Sequence, residues 1–214
     1  MRPESREPVL IITADDYGYG PGYNRGILEA AGAGAIDAVS AMVGRGWCHP
    51  GPLLDTGVEI GLHLELPGAE PRAQMERFES LFGRLPAFVD GHHHCHARVD
   101  TSEALARLAA EHGLPVRSVD ESHRRLLRRL GVPTQDRLVG RMRPTEPALP
   151  PVLAQGQPLP PGVTEWMTHP GHRDPEAGSS YDSAREEDLK LLLTVSGVPG
   201  ARLPRRTHGE ALTA

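Results

Sequence analysis

Apolar residues in this chain follow two alternating patterns. Short apolar runs typical of buried strands occupy residues 9–13, 38–43, 58–64, 87–90, 115–119, 163–168 and 201–204. Apolar positions at helical spacing predict helices over residues 24–34, 72–82, 102–112, 121–130 and 183–195. Strands that alternate with helices are typical of βαβ units and a parallel sheet. The sequence therefore predicts an α/β fold of about seven strands, either an open doubly wound sheet or a small, imperfect (β/α) barrel.

A proline-rich segment interrupts this alternation. Residues 143–162 contain seven prolines, and we expect neither a helix nor a central strand there. The strand and helix that follow are too little for a second core. The length of 214 residues also suits one domain. We therefore predict a single domain over residues 1–214, with residues 143–162 as a surface excursion.

Composition and charge exclude several classes of protein. Hydrophobic residues make up 38% and charged residues 24% of the chain, which is ordinary for a soluble globular protein. No apolar run is long enough to span a membrane, and the N-terminus lacks the apolar core of a signal peptide. A nucleic-acid binder needs a basic face, which the formal charge of −5 does not provide. We expect a cytoplasmic protein with neither a nucleic-acid nor a membrane partner.

Two adjacent aspartates, Asp15 and Asp16, directly follow the first predicted strand. In parallel α/β folds the carboxyl ends of the strands form the rim of the active site. Neighbouring carboxylates repel each other, so a structure that keeps both needs a cation or a shared proton to offset the repulsion. The alternative is an Asx turn or a helix cap leading into the glycine-rich turn that follows, for which one aspartate would be enough.

Four histidines fall within five residues at the end of the fourth predicted strand. If this segment is extended, His92, His94 and His96 point to one side, and His93 and Cys95 point to the other. Imidazole is the commonest metal ligand in proteins. A structural zinc site built on Cys95 is an alternative, but no second cysteine lies at a suitable spacing. The tract therefore favours a metal site at the rim of the sheet.

Two further histidines end predicted strands. His63 ends the third strand, and His169 ends a late strand just before a Pro-Gly turn. A core histidine at His63 and a turn residue at His169 are the alternatives. One aspartate and two histidines with open coordination positions make a catalytic metal site. The remaining aspartate and histidine would then serve as base and acid in hydrolysis.

Four stretches of the chain resemble the YdjC-like carbohydrate deacetylase family. They are ITADDYGYGPGYNRGILEA at 12–30, EIGLHLEL at 59–66, AQMERFESLFGRLPAFVDGHHHCH at 73–96, and EWMTHPG followed by SYDSAREEDLKLL. The resemblance implies a deformed (β/α) barrel and one divalent metal ion. It also implies hydrolysis of an N-acetyl group on an amino sugar or a related glycan, so that the expected partner is an N-acetylated sugar or oligosaccharide.

The resemblance also assigns roles to individual residues. The implied metal ligands are Asp16, His63 and His92. The implied catalytic pair is Asp15 as the base and His169 as the acid. The residues expected to line the sugar pocket are His94, His96 and Tyr17. We expect Mg²⁺ as the metal, although the same donor set also suits Zn²⁺, Mn²⁺ and Co²⁺.

The chain departs from the family pattern at two places. Thr13 stands where the family usually has asparagine, and the segment between Leu66 and Ala73 is shorter than in typical members. The short segment implies a more open pocket or one completed by a partner. The sequence leaves the oligomeric state undecided, and a homodimer is one possibility. A metal-dependent hydrolase of another amide or ester is one alternative function. A glycan-binding relative without catalysis is another, which the presence of both Asp15 and His169 disfavours.

Overall fold

The computed structural model describes residues 7–68, 70–154, 159–196 and 206–212. Its strands are β1 (Pro8–Tyr17), β2 (Ala38–Ala41), β3 (Glu59–Leu64), β4 (Val89–Gly91), β5 (Arg137–Gly140) and β6 (Gly162–Thr168). Its α-helices are α1 (Pro21–Gly32), α2 (Pro50–Leu54), α3 (Pro71–Phe82), α4 (Ser102–His112), α5 (Glu121–Arg129), α6 (Pro151–Ala154), α7 (Asp182–Ser196) and α8 (His208–Leu212). Two short 3₁₀ turns are His92–Ala97 and Pro175–Ala177.

The strands form one sheet in the order β4-β3-β2-β1-β6-β5. Every neighbouring pair is parallel. The sheet is a half-barrel with helices, which confirms the prediction of an α/β fold built as a deformed small barrel. All seven residues of β6 are buried, as are the last eight of β1. A parallel strand covered on both faces reads as a continuous apolar run, which is why the sequence pattern locates these two strands.

The predicted strand at residues 115–119 is wrong. Only Val116 pairs there, in a single parallel bridge with Val89. The side chain of Gln135 accepts a hydrogen bond from the amide of Ser118 at 3.0 Å and donates one to the carbonyl of Ser118 at 2.7 Å. Those two backbone groups are therefore not available to a strand ladder. The predicted strand at residues 201–204 lies outside the described residues.

Two elements were not expected near the proline-rich segment. Strand β5 lies at the edge of the sheet, and its four residues are only half-buried, so its apolar pattern is weak. Helix α6 lies inside residues 143–162, where we expected no helix. It is four residues long and begins at Pro151, a position where the missing amide hydrogen costs nothing. The prediction that residues 143–162 contain no helix is therefore wrong at this one turn.

The loop after β6 is held tightly against helix α1. A Cβ added to Gly26 of that helix would lie 2.5 Å from the Cα of Gly171. Only a glycine allows the two backbones to approach this closely. The amide of His172 also donates to the carbonyl of Gly22 at 3.1 Å. Helix α1 therefore fixes the loop that follows His169. Among the described residues, no helix combines the length and the apolar character that crossing a bilayer requires.

Candidate active site

A cavity of about 410 Å³ lies at the carboxyl ends of the strands. The predicted site residues that line it are Asp15, Asp16, His63, His92, His94 and His169. The other lining residues are Tyr19, Gly91, His93, Arg141, Met142, Met167, Tyr181 and the small residues 178–180. These side chains come from segments far apart in the chain. They meet because the carboxyl ends of parallel strands lie at one edge of the sheet.

Asp16 is the centre of the predicted metal site. Its Oδ1 lies 3.2 Å from Nε2 of His63 and 2.9 Å from Nδ1 of His92. One donor atom from each of these three residues falls within 4.8 Å of the others. Asp16 has a φ of 74°, which is uncommon for a residue other than glycine. Strained backbone of this kind is concentrated at functional sites, and here it places the carboxylate between the two imidazoles.

The other oxygen of Asp16 is bound by an arginine. Nη2 of Arg185, in helix α7, donates to Oδ2 at 2.5 Å. Burial opposes ionisation of Asp16, but Arg185 and the hydrogen bonds from both imidazoles outweigh it and hold its pKa well below the ordinary value. Asp16 is therefore ionised, and its Oδ1 faces the two histidines as a metal-ligand carboxylate would.

His63 is oriented by a second carboxylate, Asp90. Nδ1 of His63 donates to Oδ1 of Asp90 at 2.7 Å, which leaves Nε2 to face Asp16. Metal-binding histidines commonly have such a carboxylate behind them. Burial alone would lower the pKa of His63, but Asp90, Asp16 and Asp15 raise it well above the ordinary value. A divalent cation at this point would replace that proton.

Asp15 is held by a buried arginine that sequence reasoning missed. Both terminal nitrogens of Arg117 bind Asp15, at 2.6 and 2.8 Å. The guanidinium also lies 2.8 Å from Asp90 and from Glu165. Burial raises the pKa of Asp15 to about 6 even though Arg117 opposes the rise. A carboxylate with a pKa close to neutrality is a stronger base than an ordinary aspartate, as general-base catalysis requires.

His169 lies on the side of the cavity lined by Tyr181, whose ring centroid is 4.6 Å from its own. Its backbone amide donates to Asp188 of α7 at 3.0 Å. Its Nδ1 is buried and has no hydrogen-bond partner among the described residues. Burial, reinforced by the nearby cation of Arg185, lowers the pKa of His169 to about 3 despite the attraction of Asp16. The protonated ring would therefore be a strong proton donor.

The histidine tract is not extended, so the prediction that His92, His94 and His96 share one side is wrong. His93 and His94 have φ values of 50° and 54°, and the chain turns there as part of a 3₁₀ segment. His92 points to Asp16, and His94 lines the cavity with Nε2 3.3 Å from the sulfur of Met142. The ring of His93 packs 4.0 Å from that of His92.

Two residues expected at the sugar pocket lie away from the cavity lining. His96 is buried, and its Nε2 donates to the carbonyl of Arg117 at 3.0 Å. Tyr17 is also buried, and its hydroxyl donates to the carbonyl of His49 at 2.7 Å. The thiol of Cys95 donates to the carbonyl of Leu64 at 3.2 Å, and Cys95 belongs to neither candidate metal-binding group found among the described residues.

Three buried arginines are the main site residues that sequence reasoning missed: Arg117, Arg141 and Arg185. Arg141 follows β5 and lines the cavity. Arg117 is a lone charge in an apolar run, the one signal that a buried carboxylate partner had to exist. Arg185 carries no such signal, because it lies in a helix with many charged residues.

Comparison with known proteins gives both a family and a fold. The sequence model of the YdjC-like protein family matches residues 9–71 and 67–196. The chitooligosaccharide deacetylase of Serratia marcescens is 29% identical, over 56% of this chain and 62% of that protein. The enzyme of the same name from Escherichia fergusonii is 30% identical, over 52% of this chain and 59% of that protein. The chain thus spans about three fifths of the length of these curated relatives.

A solved structure shows the same fold. It is a protein of Enterococcus faecalis V583 named for the cleavage of cellobiose phosphate. It superposes with a TM-score of 0.74 at 22% identity, and the match covers 87% of this chain and 91% of that one. At this level of identity the likeness concerns the fold alone.

Proposed function

This chain belongs to the YdjC-like protein family, and on that premise we propose that it is a metal-dependent hydrolase that removes the acetyl group from the nitrogen of an amino sugar. One observation carries the proposal. Asp16, His63 and His92 bring their donor atoms together in the cavity that Asp15 and His169 also line. A ligand trio beside one candidate base and one candidate acid is the equipment that amide hydrolysis needs.

The three ligand residues fit a divalent cation. Their donor atoms converge, Asp90 holds His63 with Nε2 facing inward, and the site opens to the cavity. Two imidazoles and a carboxylate suit Mn²⁺, Co²⁺ and Zn²⁺ as well as the Mg²⁺ expected from the resemblance. The chemistry that such an ion supplies when bound is polarisation of the amide carbonyl and activation of water.

Asp15 takes the proton from the attacking water. The grip of Arg117 fixes the plane of the Asp15 carboxylate, and the pKa of about 6 leaves most of it ionised at neutral pH. Each carboxylate oxygen has a second lone pair to accept the proton. Both the geometry and the basicity thus support Asp15 as the base.

His169 delivers the proton to the leaving amine. With a pKa of about 3 the ring is neutral at rest, and it takes up a proton from solvent as negative charge develops on the substrate beside it. It passes that proton to the leaving amine, and Asp15 then releases to solvent the proton that it took from water. The hydrogen bond from its amide to Asp188 and the ring of Tyr181 keep the imidazole facing the cavity.

The substrate we propose is an N-acetylated chito-oligosaccharide. Its support is the name of the two curated relatives, both chitooligosaccharide deacetylases. The cavity volume of about 410 Å³ lies within the range of small-molecule sites. A cytoplasmic location and a homodimer remain predictions from the sequence.

Acetate release tests this function directly. The full chain is freed of metal with a chelator, dialysed, supplied with Mg²⁺, Mn²⁺, Co²⁺ or Zn²⁺, and given N-acetylated chito-oligosaccharides. We expect acetate only with added metal, and far slower release from Asp15→Asn than from the wild type. Asp55→Asn, the same change at an exposed aspartate, is the matched control and should keep full activity. A protein that binds metal yet releases no acetate from any substrate would refute the proposal.

A further inference from the structure

A line of buried charges runs from the cavity to the C-terminal helix. It consists of Asp15, Arg117, Glu165, His208 and Glu59, which we call the axial network. The four side chains from Asp15 to His208 are almost completely buried. The reaction proposed above uses only the first two members, so the other three need an explanation. Charged groups this deep in a fold are costly unless each is paired.

Glu165 is the middle of the axial network. Its Oε1 accepts a hydrogen bond from Nε of Arg117 at 2.9 Å and from the hydroxyl of Thr13 at 3.0 Å. Nε2 of His208 lies 3.5 Å from the same oxygen. Burial opposes ionisation of Glu165, but Arg117 and His208 outweigh it and lower its pKa to about 2. Glu165 is therefore a carboxylate that two cations hold.

His208 is held firmly by its own helix. Helix α8 starts with a capping box, in which the amide of Thr207 donates to Glu210 at 3.0 Å and the amide of Glu210 donates to the Thr207 hydroxyl at 3.3 Å. Glu59 accepts hydrogen bonds from the amide and from Nδ1 of His208, at 2.7 and 2.8 Å. The ring stacks on Phe88 with the centroids 3.8 Å apart.

The charge balance explains what His208 contributes. Arg117 is a single cation faced by three carboxylates, those of Asp15, Asp90 and Glu165. Burial disfavours a charged imidazole, but Glu165 and Glu59 outweigh this and raise the pKa of His208 to about 9. A second cation beside Glu165 leaves more of the Arg117 charge for Asp15.

We propose that His208 is a positioning residue, which holds Glu165 and, through it, the arginine that grips Asp15. The inference rests on the proposed hydrolase function. It concerns a residue beyond position 196, where the match to the family model ends. If His208 loses its charge, Glu165 draws Arg117 toward itself and the plane of the Asp15 carboxylate changes. None of the three metal ligands contacts His208, and Asp90 keeps its own hydrogen bond to His63, so metal affinity should change far less than kcat.

A double-mutant cycle tests this coupling. His208→Phe keeps a ring on Phe88 but removes both nitrogen donors and the charge, and Glu165→Gln removes the intermediate carboxylate. We expect His208→Phe to lower kcat about tenfold or more, as small misplacements of catalytic groups do, with KM changed by less than about threefold. The double variant should be no slower than the slower single variant, because His208 acts through Glu165.

A control separates positioning from stability. Leu127→Ala removes a fully buried apolar side chain of α5, which is not a member of the axial network. It should destabilise the protein yet keep kcat at a temperature where the protein is folded. Unchanged kcat in His208→Phe, or effects of the two substitutions that multiply, would overturn the proposal.

A second measurement does not depend on activity. The Arg117 Nε–H donates to Glu165 in the interior, so its NMR signal should exchange slowly with water. The signal is assigned by its loss in Arg117→Lys. Under conditions in which exchange proceeds by local opening and not by global unfolding, His208→Phe should speed this exchange about tenfold, and Leu127→Ala should change it far less. Equal exchange in wild type and His208→Phe would overturn the positioning role, whether or not the chain releases acetate. A failure to release acetate would refute only the proposed function.

Discussion

Arg117 binds Asp15 with both terminal nitrogens, Nη1 to Oδ2 at 2.6 Å and Nη2 to Oδ1 at 2.8 Å. A contact at two points fixes the plane of a carboxylate as well as its position. The same guanidinium also pairs with Asp90, which orients the metal-ligand candidate His63. One side chain thus links the base to the metal site.

Arg117→Lys should show that the two-pronged contact of the guanidinium (the fork) with Asp15 is needed, and not only its positive charge. An ammonium group is a compact point charge and cannot make the two parallel hydrogen bonds. We expect kcat to fall roughly 10- to 100-fold because the Asp15 carboxylate is no longer aligned. Arg125→Lys, at an exposed arginine paired with Glu121, is the control and should leave kcat unchanged. Equal rates in the two variants would contradict the role of the fork.

Asp15→Asn and Asp16→Asn should have different effects. Asp15→Asn keeps the size of the side chain and loses its basicity, so metal binding should persist while turnover falls about 10²- to 10⁴-fold. Asp16→Asn should weaken metal binding, and excess metal should partly restore its rate. Calorimetric metal titration and acetate release separate the two. Loss of metal from the first variant and retention by the second would mean that the roles are reversed.

His92→Ala and His93→Ala test which histidine of the tract binds metal. Only His92 reaches Asp16, whereas His93 packs against the His92 ring. We expect His92→Ala to lose the metal. His93→Ala should keep it within about threefold in affinity, with some loss of stability from the left-handed backbone at that residue. Similar metal loss in both variants would contradict the geometry of the turn.

The protonation of His208 should make part of the stability depend on pH. Its pKa is about 9 in the folded protein, above the ordinary value of 6.5 for histidine. The folded state therefore binds the proton more tightly than the unfolded state. The stabilisation is fully present below about pH 6.5 and is lost as the pH rises through about 9, and its size is on the order of 3 kcal/mol.

Urea unfolding of wild type and His208→Phe at pH values from 6 to 10 measures this contribution. The difference in unfolding free energy between the two proteins should be largest at pH 6 and shrink toward pH 10. His172→Phe changes a half-buried histidine paired with Glu29 and serves as the control. A difference that stays constant with pH for His208→Phe would show that His208 is neutral in the folded protein.

The parts of the fold that sequence reasoning predicted are those with a strong local pattern. Strands β1 and β6 are covered on both faces and read as apolar runs, so the positions of Asp15, Asp16 and His169 at their ends could be predicted too. The turn of the histidine tract could not be predicted, because no sequence pattern marks a histidine that adopts the left-handed backbone conformation.

The buried arginines show a different limit of the sequence. Arg185 and Arg141 lie in sequence surroundings that are typical of surface residues. Only the tertiary fold brings the carboxylates of Asp16 and Asp188 next to them. The same is true of His208, whose partners Glu59 and Glu165 belong to strands far away in the chain. Hydrophobic patterns predict which positions are buried when apolar residues fill them, and a paired charge escapes that rule.

The edge position of β5 has a consequence for how this cavity can change. Arg141 and Met142 follow β5, whose residues are half-buried, and Met142 is 43% exposed. The residues proposed to bind metal and move protons, except for those of the histidine turn, instead follow or end strands with neighbours on both sides. Exchanging Met142, the exposed side chain of this wall, should therefore alter which molecules fit at little cost to folding, whereas the buried Arg141 is paired with Asp188 and has to stay. Directed evolution of a new substrate range has its natural starting point at that wall.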